Sequence, residues 1–117
     1  MSNPLCHFEF MTRDPDKFKA FYSTVFNWTL DDVSMPGYTL INAGAEPTGG
    51  MFPTPENVPM GCVNVYFMVE NIEETLENAK TQGAKVLINK TEIPHVGHIA
   101  MISDPEGICV GLMQSGG

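Results

Sequence analysis

Basic residues are scarce in this chain: six Lys and Arg stand against fourteen Asp and Glu, a formal net charge of −8. Nucleic-acid affinity comes largely from Lys and Arg meeting phosphates, so this balance argues against a nucleic-acid binder. It argues equally against docking on an anionic membrane surface. Long apolar runs are missing too, and none approaches the roughly 18 residues of a membrane span. The opening residues, MSNPLCHFEF, run straight into a strand pattern rather than a leader, which predicts a cytoplasmic protein. Cysteine is limited to Cys6, Cys62 and Cys109, an odd number without CxxC spacing. Each lies in an apolar strand context, so reduced, buried thiols are expected. At 117 residues the chain is long enough for one domain with one sizeable core.

What is present is a repeat of pattern. In HFEFMTRDPDKFKAFYSTVFNW, Cys6, Phe8 and Phe10 alternate with His7, Glu9 and Met11, the period of a half-buried strand. Asp14 is placed to cap a helix with Pro15 at its first position. Phe18, Phe21, Tyr22, Val25 and Phe26 then form an apolar stripe, and Asn27 is suited to end the helix in a positive-φ conformation. In CVNVYFMVENIEETLENAKTQGA, Val63, Val65, Phe67 and Val69 alternate with Cys62, Asn64, Tyr66 and Met68. Asn71 and Glu74 make a capping-box pattern, Ile72, Leu76 and Ala79 the stripe, and Gly83 the stop. A shift of 57 residues carries Asp14 to Asn71, His7 to Asn64 and Glu9 to Tyr66. Helices are therefore expected over 15–26 and 72–82. Strand-like runs follow each helix: YTLINAG and TGGMF, then KVLIN, HIAMIS and GICVGLM. The modules cover about 4–52 and 62–114 of a single domain, joined by the proline-rich linker 53–61.

DPDKFKAFYSTVFNW and VGHIAMISDPEGICVGLMQ together resemble the vicinal oxygen chelate superfamily, the glyoxalases, bleomycin-resistance proteins and extradiol dioxygenases. The first resembles that group's Asp-Pro, Phe-Tyr, Phe-Gly-Trp signature, with Asn27 in place of the glycine. The second resembles its closing hairpin with an Asp-Pro-x-Gly turn. The resemblance implies an α+β fold of two βαβββ modules in pseudo-twofold arrangement, curled mixed sheets around a cleft, and a homodimer. Metal-dependent members use about four His, Glu or Gln ligands on the first and last strands of each module. Carried over, those positions are His7, a residue near Gly50, Asn64 and Gly111. Two glycines and an asparagine do not make that donor set, so neither a catalytic metal nor another cofactor is expected.

Gly111, in the strand-like GICVGLM, offers no side chain where the family carboxylate would stand. Glycine inside a strand marks a bulge or a close approach. The expectation is that Gly111 and Gly50 leave bare backbone as the floor of a ligand cleft. The expected partner is then a small molecule, met by His7, Glu9, Asn64, Tyr66, His98 and Gly111, with Met51 and Trp28 as apolar lining. Core packing is the competing reading for Met51 and Trp28. His95 and His98 sit three apart, but on a loop running into a strand rather than on one helical face. Met11, Met51, Met68, Met101 and Met113 could form an adaptable apolar wall. Two other readings stay open: a glyoxalase-like lyase, isomerase or transferase acting through His7 and Glu9, and a protein-interaction module.

Overall fold

A computed structural model describes residues 2–55 and 63–116 of the chain. The element order is β1(Leu5–Thr12), α1(Pro15–Val25), β2(Thr29–Met35), β3(Tyr38–Asn42) and β4(Thr48–Pro53). It continues as β5(Val63–Met68), α2(Ile72–Thr81), β6(Lys85–Ile93), β7(Gly97–Ser103) and β8(Cys109–Ser115). The architecture is α+β, and the order βαβββ occurs twice. Two compact units result, one of His7–Asn64 and one of Val65 onward together with the chain up to Cys6. The linker expected at 53–61 lies outside the described residues from 56 on, as does Cys62.

In the first unit the strands lie in the order β2-β3-β4-β1. β1 and β4 are parallel, while β3 runs antiparallel to both β2 and β4. Asp14 caps α1 by accepting a hydrogen bond from the Lys17 amide at 3.1 Å, and Asn27 adopts φ 58° past its end. Phe18, Ile41 and Met51 are buried between helix and sheet, with Phe8, Phe10, Tyr22, Trp28 and Leu30 packed around them. The apolar stripe of α1 is only half used. Phe21, Val25 and Phe26 are each more than 50% exposed, because Phe18 and Tyr22 alone face the sheet. Strand β2 carries no alternation to announce it. Asp31 and Asp32 interrupt it, Val33 is 85% exposed, and its register slips between Asp31 and Met35. Such charges and irregularities are how an edge strand avoids further pairing.

The second unit repeats the plan with the order β5-β8-β7-β6, β5 and β8 parallel, and the other pairs antiparallel. Val69, Ile72, Leu76, Ala100, Ile102 and Leu112 form its core under α2. The Asp-Pro-x-Gly turn closes on Asp104, whose Oδ1 accepts from the Glu106 and Ile108 amides, both at 2.9 Å, while Gly107 takes φ 96°. At the start of α2, Asn71 Oδ1 accepts from the Glu74 amide at 3.0 Å, and Gln114 Oε1 accepts from the Ile72 amide at 2.8 Å. Replacing Asn71 by alanine removes the first of these caps. It is expected to lower stability by about 1 kcal/mol, read as a reduced midpoint in denaturant unfolding with an unchanged slope.

Candidate functional site

Alternation along β1 gives Phe8 and Phe10 to the helix side of the first unit and turns His7 and Glu9 to the other side. Strand pairing carries that second face across the sheet. Glu9 is in register with Gly50, and Gly50 with Leu40. Tyr38, two residues before Leu40, shares the face, and its ring stands over Gly50. A Cβ on Gly50 would collide with the Tyr38 hydroxyl and the adjoining ring carbons. Glycine is required here by the tyrosine. Gly49 is likewise covered, on the helix side, by the ring of Phe8.

The Tyr38 hydroxyl links the two candidates on β1. It donates to Glu9 Oε2 at 2.9 Å and lies 2.9 Å from His7 Nε2. All three side chains are half-buried, and Phe52 stacks beside Tyr38 with ring centroids 6.2 Å apart. Burial pushes His7 below its ordinary pKa of 6.5, opposed by the charge of Glu9 and by a hydrogen bond to the Thr48 backbone. A histidine whose pKa is lower folded than unfolded binds its proton more readily in the unfolded chain. Its contribution therefore makes stability rise with pH across the window from its folded midpoint up to the unfolded value, and the penalty is complete below that window.

The second unit has the matching register. Tyr66 pairs with Gly111, and the Tyr66 ring, only 6% exposed, fills the space a Cβ on Gly111 would take. Register places Met101 and Met113 on this same face, so part of the expected methionine wall is assembled there. Cys6 Sγ lies 3.9 Å from Met113 Sδ, and burial raises its thiol pKa.

Several candidates lie elsewhere. Gly50 and Gly111 do not leave bare floor, since a tyrosine ring covers each. Met51 is 1% exposed in the core beneath α1, and Trp28 stacks on Tyr22 at 4.9 Å on that same side. Both pack as core because the alternation of β4 and the turn after α1 direct them to the helix. His98 pairs with Gln114 and alternates with Ile99, so it stands on the α2 side with Ala100 and Leu112, opposite Tyr66. Its Nδ1 has no hydrogen-bond partner among the described residues. His95 is exposed in a turn at φ 68°, and Cys109 is exposed rather than buried because it begins an edge of β8 at the hairpin. Asn64 is half-buried on β5. Tyr38 is the residue that sequence reasoning missed. Its signal was the alternation of Tyr38 and Leu40 with Thr39 and Ile41, read against the paired glycines 49 and 50.

These residues do not fit the four-ligand divalent centre that the resemblance implies. Two of its four positions are glycines under tyrosine rings, and the Nε2 of His7 already meets a hydroxyl. Among the described residues, no three His, Cys, Asp or Glu side chains gather closely enough to hold an ion.

The sequence model of the Glyoxalase/Bleomycin resistance protein/Dioxygenase superfamily matches residues 5–112. The chain belongs to this superfamily. It is 28% identical over 114 residues to "Putative glyoxylase CFP32" of Mycobacterium bovis, covering 92% of this chain and 44% of that protein. The chain thus spans less than half the length of that relative. In structure it is similar to methylmalonyl-CoA epimerase from Mycobacterium tuberculosis, with a TM-score of 0.74 at 13% identity over 97% of this chain and 88% of that one. It is also similar to homoprotocatechuate 2,3-dioxygenase from Brevibacterium fuscum, with a TM-score of 0.73 at 12% identity over 96% of this chain and 36% of that one. At such identities the likeness is one of glyoxalase fold. No helix among the described residues is long and apolar enough to cross a membrane.

Proposed function

We propose that this member of the glyoxalase superfamily binds a small molecule on the His7 face of its first unit, without a resident catalytic metal. The observation that supports this reading is the Tyr38 hydroxyl joining His7 and Glu9 where the superfamily's metal-dependent members would set ion ligands. A few convergent polar groups beside apolar side chains, here Leu40 and Phe52, are the usual makings of a small-molecule site. The homodimer and the cytoplasmic location belong to the same proposal, and sedimentation of the purified protein checks the first.

A second reading is a glyoxalase-like lyase, isomerase or transferase acting on a small metabolite. The specific observation favouring it is His7, whose pKa burial lowers and whose Nε2 lies 2.9 Å from a hydroxyl, an arrangement suited to acid–base work. Metal analysis separates the two readings. Protein purified without chelator is expected to carry well under one equivalent of Zn, Ni, Mn or Fe, and His7→Ala to leave that content unchanged. Stoichiometric metal that disappears on His7→Ala would replace the first reading with the second.

A further inference from the structure

We propose that the ligand of the His7 face extends into a hollow beside it, and that the end lodged there is a hydrogen-bond donor without negative charge, an amine or a hydroxyl. This names the ligand class of the site proposed above and rests on that reading.

Strand register places the hollow on the same face. Thr48 stands beside His7 across β4 and β1, and Leu40 beside Gly50 across β3 and β4. Leu40 is in turn paired with Asp31 of β2, and Asn42 with Thr29. Paired residues share a face of the sheet. Thr29, Asp31, Leu40, Asn42 and Thr48 therefore all turn to the side of His7, away from α1. With Glu46, from the loop between β3 and β4, they line a hollow of about 640 Å³. That is within the usual range for a small-molecule pocket.

The lining decides which ligand end is tolerated. Leu40 is its apolar patch, and the hydroxyls of Thr29 and Thr48 can each donate and accept. Its two charged residues, Asp31 and Glu46, are both acids. The Ser34 hydroxyl and the Val33 and Ser34 amides donate to Asp31 and hold its carboxyl below the ordinary carboxylate range, so its charge persists. Those three bonds do not exhaust a carboxylate, which accepts at about four sites. No cation lines the hollow in compensation. Between His7 and Pro55 the basic residues are Arg13, Lys17 and Lys19. Arg13 follows the far end of β1, about 20 Å of strand from His7. Lys17 and Lys19 belong to α1, which covers the opposite face, and Lys19 pairs with Asp32 at 2.6 Å. A carboxylate or phosphate in this hollow would face two like charges. An amine or a hydroxyl would find acceptors.

Three probes of one shape test this: benzylamine, benzyl alcohol and phenylacetate, each titrated near neutral pH into the labelled full chain. The amide NMR signals of Leu40, Asn42, Thr48 and Gly50 report binding. Benzylamine is expected to bind tightest and phenylacetate weakest, the two differing by about fivefold or more, as charges a few ångström apart dictate even in water. Added salt should narrow that gap and leave benzyl alcohol unmoved. Glu46→Gln should narrow it by about twofold or more. Asp16→Asn removes a charge of the same sign from α1, on the other side of the sheet, and should leave it in place. The wild-type ranking carries the test alone if Glu46→Gln does not fold. Phenylacetate binding as tightly as benzylamine overturns the inference. So does a gap that Asp16→Asn narrows as much as Glu46→Gln, because net charge alone would then set it. Either result leaves the ligand face standing. No response to any of the three probes at these four residues sinks the inference and the reading beneath it together.

Discussion

Gly111→Glu is expected to destabilise the protein by about 3 kcal/mol or more, the sum of an overpacked contact and a carboxylate set against a buried ring. Backbone conformation is not the reason, since Gly111 lies outside the left-handed region and any residue could adopt its φ. The obstacle is Tyr66. A Cβ at 111 would meet the Cδ2, Cε2 and Cγ atoms of its ring, and Cγ sits too near the backbone to swing aside. The ring is 6% exposed and pairs directly with Gly111 across β5 and β8, so it has little room to retreat. Thermal unfolding should show a Tm lower by roughly 10 °C or more. Gly111→Ala should show the smaller, purely steric part of that loss. Combining Gly111→Ala with Tyr66→Ala should cost less than the sum of the two single changes, the coupling expected of neighbours in contact. A Gly111→Glu protein as stable as the wild type would mean that the ring does not occupy this space, and the bare-floor expectation would return.

That reversal shows which part of the molecule the residue pattern could express. The two helices, their caps at Asp14 and Asn71, and the faces of β1 all follow from local periodicity. Each is decided by residues within a few positions of one another. The 57-residue shift carries Glu9 to Tyr66 but not Gly50 to Gly111, which stands 61 residues on. The matching pairs, Glu9 with Gly50 and Tyr66 with Gly111, are visible only in the folded sheet. What the glycines are for depends on a side chain elsewhere in the chain. Tyr38 is twelve residues from Gly50, and Tyr66 is forty-five from Gly111. A missing side chain in sequence reads equally as room for a ligand and as room for a ring. His98 and Met51 turn to the helix side of their sheets, against expectation, for a related reason. Their strands were recognised, but the side each turned to the helix required pairing partners that only the folded sheet supplies. Strand β2 was illegible because its edge position selects Asp31 and Asp32 over alternation.

Gly50→Ala poses the opposite case to Gly111, and its large effect falls on the site. The atoms a Cβ would strike are the Tyr38 hydroxyl, Cζ and Cε2, the far end of a half-exposed side chain. Rotating that end outward relieves the collision without opening the core, where Ile41 and Met51 stay buried on the other face. The stability loss should be about 1–2 kcal/mol, the worth of the two hydrogen bonds that Tyr38 makes to His7 and Glu9. Those bonds define the face proposed to bind a small molecule, so on that proposal their loss should weaken binding there by about tenfold or more, each factor of ten being about 1.4 kcal/mol. The His7 midpoint should move to lower pH, because the imidazolium loses the Tyr38 oxygen as a hydrogen-bond acceptor while burial still disfavours its charge. Thermal unfolding and a His7 titration on one preparation decide the matter. A Gly50→Ala protein that stays folded with a lowered His7 midpoint supports a tyrosine held over glycine for the sake of the site. A midpoint identical to the wild type, in a folded protein, would show that Tyr38 reaches His7 and Glu9 without needing the glycine beneath it, and the site would then place no demand on residue 50.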